Sequence, residues 1–232
     1  MMISPETYYE MELKGKSQQE ILKEIRSLKR EINKLKKLIE EYDPSPDAFI
    51  MPDGLTRIKC NRGYLKKAIQ AYEDVGGKYI LTKQEQRTQS FDLALEGLQR
   101  LKFSIGGFFG GYETRTYTVT GEKVMLDVEN TIIEKPSNLS VYYPFTKAEF
   151  IEGLRNLHIG EWKRDYMNPY VLDGTQWNLE IQYNGDRKPI RISGSNAYPY
   201  NFDDLTEFLG VDEEADNESD NESDEGGHSG EI

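Results

Sequence analysis

The run Ser17–Tyr42, SQQEILKEIRSLKREINKLKKLIEEY, carries the clearest structural signal in the chain. Ile21, Ile25, Leu28, Ile32, Leu35, Ile39 and Tyr42 follow one another at spacings of four and three. That heptad rhythm lays one apolar seam along a helix, with Ile25, Ile32 and Ile39 at a and Leu28 and Leu35 at d. Ser17 with Glu20 forms a capping box at its start. Asp43-Pro44-Ser45-Pro46 ends it, because proline lacks the amide and restricts the residue before it. Glu24 and Lys29, then Glu31 and Lys36, stand where a parallel two-stranded coil places its g–e′ ion pairs. The seam has three candidate partners: a second helix of this chain, a second copy forming a homodimer through residues 17–42, or another protein. The opposite face is basic, with Lys23, Arg26, Arg30, Lys34 and Lys37, and Arg57, Lys59, Arg62, Lys66 and Lys67 follow nearby. Such a face suits nucleic-acid phosphates, though a solvated helix surface has the same composition.

Working outward, Leu55–Val75 reads as a second amphipathic helix with Ile58, Leu65, Ile69 and Tyr72 on one side. Gly63 weakens it, and Gly76-Gly77 supplies a left-handed stop. Residues 1–77 thus form a helical hairpin or coiled-coil region. Residues 78–211 read as an α+β domain. Lys78–Lys83 is expected as a short strand, and 85–101 as a helix presenting Phe91, Leu95 and Leu98. Strands are expected at Lys102–Phe108, Tyr112–Val119 and Lys123–Glu129, followed by a helix over 146–157 opened by a Thr146–Glu149 capping box. Gln176–Tyr183 and Arg187–Ser193 form a hairpin around Asn184-Gly185, read as a type I′ turn. A last helix covers Asn201–Leu209. Hairpin-then-helix occurs twice, a ββα duplication in outline that no residue identity supports. The fold class is α+β, an antiparallel sheet with packed helices.

Residues 212–232 are read as a disordered acidic tail. They hold ten of the 41 acidic residues and no Lys or Arg, so the rest of the chain sets 31 acids against 29 bases. Ten units of the formal charge of −12 therefore belong to the tail, and mimicry of DNA by the folded body loses its main support.

Catalytic signals are sparse. The single cysteine, Cys60, cannot make an internal disulfide, and no apolar run approaches the ~20 residues of a membrane span. No basic stretch followed by an apolar one opens the chain. A cytoplasmic protein without membrane contact is expected. His228 falls in the tail, and His158 follows a helix C-terminus, where the dipole favours a cation. No His/Cys spacing suits a metal, and neither metal, cofactor nor catalytic residue is assigned. The glycines of SIGGFFGGY, residues 104–112, flank Phe108 and Phe109 and precede a strand, which makes a hairpin tip with contact phenylalanines, not a phosphate loop. Glu161, Asp165 and Asp173 lie near Trp162, Tyr166 and Tyr170, leaving a hydrolase or transferase site around 158–180 as one alternative. Asp203-Asp204 complements a helix start. In GSNAYPYNFDDL, residues 194–205, Ser195, Asn196, Tyr198 and Tyr200 form either a contact loop or an aromatic plug with Asn201 as the helix cap.

Four segments resemble accessory proteins carried by phages and conjugative elements of low-GC Gram-positive, clostridial-type bacteria: SPETYYEMELKGKSQQEILKEIRSLKREINKLK, TRIKCNRGYLKKAIQAYEDVGGKY, FSIGGFFGGYETRTYTV and LDGTQWNLEIQYNGDRKPIRISGSNAYPYNFDDLTEFLG. The resemblance spans residues 3–210 and transfers no active-site residue. It implies a small cytoplasmic factor of mobile DNA in a bacterial host, of a kind that includes inhibitors of defence systems such as CRISPR effectors. The expected function is non-enzymatic binding by protein–protein contact, with DNA or RNA binding through the basic helical face as the alternative.

Overall fold

Strand Gln176–Tyr183 alternates fully, with Trp177, Leu179, Ile181 and Tyr183 buried and Gln176 and Asn178 exposed, so its sheet has one dry face and one wet face. The computed structural model describes residues 2–41, 53–107, 110–131, 137–171 and 174–211. The sheet has seven strands: β1 (Leu98–Gly107), β2 (Gly111–Thr120), β3 (Lys123–Asn130), β4 (Ser137–Thr146), β5 (Asp165–Met167), β6 (Gln176–Tyr183) and β7 (Ile190–Ser195). Their order is β4-β3-β2-β1-β6-β7-β5; every pairing is antiparallel except β5 with β7.

Among the described residues six helices accompany the sheet: α1 (Pro5–Tyr8, continued by a wider turn to Leu13), α2 (Gln18–Glu41), α3 (Gly54–Asp74), α4 (Lys83–Ala94), α5 (Lys147–Asn156) and α6 (Phe202–Leu209). The main core gathers Leu101 and Phe103 of β1, Tyr117, Leu126 and the β6 residues with Phe91, Phe150, Leu154, Leu205 and Leu209 of the helices. The C-terminal half of α2 enters this core through Ile32 and Leu35, and α3 enters through Ile58. The N-terminal half of α2 forms a second cluster, in which Ile21, Ile25 and Leu28 meet Tyr64, Ala68 and Ala71 of α3. Tyr8 stacks on Tyr64 at 4.3 Å over this cluster. Gly63 has a packing reason: a Cβ there would stand 3.1 Å from the Pro5 ring. Among the described residues no helix is long and apolar enough to cross a membrane.

The capping boxes at Ser17–Glu20 and Thr146–Glu149 form as expected, and a third appears at Thr82–Glu85. Gly76, at φ +84°, ends α3 as the glycine pair predicts. Three local expectations are corrected. Residues 78–81 make no strand; Tyr79 instead packs beneath the Lys29 ammonium and donates to Glu85 at 2.8 Å. The helix expected to reach residue 101 stops at Ala94, and a short turn leads into β1, because Leu98 and Leu101 are buried in the sheet. Asn184 lacks positive φ, so the β6–β7 connection is a longer turn with Gly185 at +76° and not a type I′ hairpin. Strands β4 and β5 were not anticipated.

Candidate functional site

The seam of α2 is covered from within. Ile21, Ile25, Leu28, Ile32 and Leu35 are buried against α3 and the main core, and Ile39 packs against that core beside Gly54. Every charge expected to bridge two chains has a partner in its own chain. Glu24 accepts from Tyr8 Oη at 2.5 Å, Lys29 pairs with Glu85 at 2.6 Å, Glu31 with Arg57 at 2.6 Å, and Lys36 with Glu161. Of the three candidate partners for the seam, the second helix of this chain is the one that covers it: α3 and the sheet supply the apolar cover that a second coil of a homodimer through residues 17–42 would have supplied.

Where α2, α3 and the turn Ile159–Glu161 meet, the chain buries an ionic cluster. Arg62 reaches Glu161 at 2.6 Å and the Tyr200 hydroxyl at 2.8 Å, and Lys36 joins Glu161 from the other side. Burial raises the Glu161 carboxyl, but Arg62 and Lys36 outweigh it and hold it below the usual range. Burial likewise lowers the Lys36 ammonium, an effect Glu161 only partly offsets. His158 stands beside this cluster at φ +51°. Burial, reinforced by Arg62, brings its imidazole down to about 4. The helix-end cation expected there is corrected to a neutral ring.

Glu161 is neutralised by two cations, Asp165 faces Ser193 Oγ at 3.3 Å on β5, and Asp173 lies outside the described residues. Among the described residues no group of three or more His, Cys, Asp or Glu is placed to hold a metal. Cys60 is half-buried on α3 against the smaller cluster.

The contact residues read from sequence are dispersed. Phe108 and Phe109, read from sequence as a contact tip, lie outside the described residues. Ser195 ends β7 opposite Gln176, and Asn196, at φ +50°, turns the chain against Gly174. Tyr198 is partly exposed over Phe202. Tyr200 is corrected: it is buried and bonded to Arg62, part of the plug and not a contact. Asn201 is the residue before α6 but caps nothing. Its side chain accepts from the Trp162 indole at 3.0 Å and donates to the Leu157 carbonyl at 2.8 Å. Lys23, Arg26, Arg30, Lys34 and Lys37 are all exposed along α2, and the first four have no ion-pair partner among the described residues.

The surface that sequence reading missed is β4. One row of side chains crosses the helix-covered face of the sheet as Val141, Leu126, Tyr117, Leu101 and Ile181. Leu101, Tyr117 and Ile181 are fully buried and Leu126 nearly so, but Val141 at the edge is 38% exposed. The helices stop short of the last strand. Leu139 is 54% exposed, Tyr142 59% and Phe145 37%. Beside them an open groove of about 720 Å³ runs between β4 and α6, lined by Tyr143, Phe145 and Phe208. Phe145 stacks on Phe208 at 5.8 Å, and Tyr143 donates to the Phe208 carbonyl.

β4, SNLSVYYPFT, is also the one strand of the sheet with no charged residue. Edge strands are ordinarily guarded by charge, brevity or a covering element. The opposite edge follows that rule, since β5 has three residues and carries Asp165. β4 runs for ten residues, and among the described residues its guards are Pro144, two residues from its end, and the register shift opposite Lys123 and Met125.

No family model matches the chain, and neither a curated protein nor a solved structure is detectably similar to it.

Proposed function

We propose that this chain is a non-enzymatic binding protein whose contact surface is the outer edge of β4, the end strand of the described sheet, with the apolar shelf beside it. One observation carries the reading: a ten-residue, uncharged edge strand with Leu139, Val141, Tyr142 and Phe145 exposed. An extended protein segment added antiparallel to that edge would use the N–H and C=O groups on the side away from β3 for affinity. Its alternate side chains would cover Leu139 and Val141 on one face and meet Tyr142 on the other. The partner is thus a protein with an extended, apolar strand to offer. The sequence resemblance to mobile-element accessory factors makes components of host defence the partner class to try first. A photo-cross-linking residue at Tyr142 tests the reading in host extract. A cross-linked protein that disappears when Leu139 and Val141 are replaced by Lys supports it, and the same cross-link in both variants overturns it.

A second reading rests on the α2 stripe. Five exposed cations spaced over one helix face, four of them without an ion-pair partner among the described residues, suit a phosphate backbone. Binding to random DNA or RNA should then fall steeply with salt, and no binding at low salt removes this alternative.

A further inference from the structure

We propose that a small cavity between α4, the Ile159–Glu161 turn and the β6–β7 connection is a phosphate site. The inference goes beyond the β4 reading and does not depend on it, because β7 and this cavity lie toward the other margin of the sheet. The cavity measures about 110 Å³, and Arg87, Arg164 and Arg187 line it with no carboxylate among its other lining residues. None of the three arginines has an ion-pair partner among the described residues.

The arginines come from three separate elements, and the fold places each one. A Cβ at Gly160 would stand 3.1 Å from the Thr88 Cα, so the glycine lets α4 settle close on the turn. Arg87, next to Thr88, then donates to the Trp162 carbonyl at 3.5 Å. Arg187, on the turn after β6, lies over the Tyr183 ring at 5.0 Å and donates to the Ser90 carbonyl of α4 at 3.3 Å. Arg164 is held through its backbone, whose carbonyl accepts from the Ser193 amide at 3.0 Å. These contacts leave most of the guanidinium donors unused. Tyr183 adds another donor: it is 5% exposed, and its hydroxyl has no hydrogen-bond partner. Burial pushes that hydroxyl up to about 12 against the opposing pull of Arg187 and Arg164, which stand close to it.

Three permanent cations gathered at one cavity repel one another until an anion joins them. A planar carboxylate offers two oxygens to one or two guanidiniums. A tetrahedral phosphate offers oxygens in several directions, which suits arginines arriving from three sides. Size limits the ligand further. The space equals that of about three or four waters and falls well below the ~300 Å³ at which pockets for whole ligands begin. The site therefore takes a phosphate group and leaves whatever carries it outside. Phe91, Ile159 and Trp162, all buried, form an apolar floor that strengthens the ionic hydrogen bonds.

Calorimetric titration of the full chain with inorganic phosphate in a low-salt chloride buffer, paired with NMR of the arginine Nε–H groups, tests the site. The signals of Arg87, Arg164 and Arg187 should shift together along one saturation curve. Each single substitution of these arginines by Gln, still folded by circular dichroism, should weaken binding at least ~10-fold. Arg26→Gln/Arg30→Gln on α2 should leave the affinity unchanged. Phenyl phosphate distinguishes the sources: undiminished binding identifies a phosphomonoester, and exclusion identifies the free ion. No saturable shift of the three signals up to tens of millimolar phosphate overturns the site, as does equal affinity in Arg164→Gln/Arg187→Gln. Neither result bears on β4.

Discussion

Replacing Ile25 by Ala separates an internal seam from an intermolecular one. Ile25 is 1% exposed and lies in the cluster formed with Tyr64, Ala68 and Ala71 of α3. The substitution removes three carbons. At roughly 0.8 kcal/mol for each buried carbon, the transfer cost is about 2.4 kcal/mol, and the cavity left among α1, α2 and α3 brings the total to ~3 kcal/mol. For a folded body of this size, that lowers the melting temperature by roughly 6–12 °C. Leu38→Ala on the same helix is the control, because Leu38 is largely exposed, and its effect should stay within ~0.5 kcal/mol. Urea unfolding followed by circular dichroism, at protein concentrations a hundredfold apart, provides the readout. The gap between wild type and Ile25→Ala should be the same at every concentration, because the lost contacts are intramolecular. A gap below about 1 kcal/mol, or one that changes with concentration, would refute the internal seam.

Two further predictions concern pH. Burial, reinforced by Glu161 and only partly offset by Arg155, pushes the Asp92 carboxyl up to about 6. The folded state therefore holds this proton more tightly than an unfolded chain, whose carboxyl titrates near ~3.9. The contribution is full below about pH 4 and lost as pH rises through about 6, so Asp92→Asn should be the more stable protein at pH 7.5 and lose that advantage at pH 4; equal stability at both pH values argues against it. His158 has the opposite sign: its folded value of about 4 lies below the unfolded ~6.5. Its contribution is full above ~6.5 and lost as pH falls toward 4, and an imidazole NMR titration with a midpoint above 6 would contradict a buried neutral ring.

The helices were legible because their signals are local. Ser17–Glu20, Thr146–Glu149 and Gly76 act within a turn of the residues they cap, and the α2 spacing records a stripe wherever it lies. What covers the stripe was not legible. Glu31 and Lys36 have the spacing of an interchain pair, yet Arg57 and Glu161 take them from 26 and 125 residues away. Tyr200 and Asn201 were misread for the same reason, since Arg62, Trp162 and Leu157 reach them only once the chain is folded. β4 escaped because Pro144 and the Tyr142-Tyr143 pair break its alternation. Its strand state is imposed by hydrogen bonding to β3, with a register shift between Lys123 and Met125. Phe108, Phe109, residues 132–136 and the acidic residues 212–232 lie outside the described residues.

The features that made α2 look like an interface and those that hid β4 have one cause. A charged, strongly periodic helix can satisfy its apolar stripe and its ions inside the chain, and α3, α4 and the Ile159–Glu161 turn supply partners for both. An uncharged strand at the end of a sheet has no such recourse. Its outer backbone groups point away from β3, and the helices that bury Leu126 and Tyr117 leave Val141 and Leu139 uncovered. The contrast with β5 shows that this is not a general property of the sheet's margins, because the same chain guards that edge by shortness and an aspartate. Binding is therefore better argued from what the fold leaves unsatisfied than from the most regular pattern in the sequence. On the reading proposed above, β4, and not the heptad helix, is where a second polypeptide would dock.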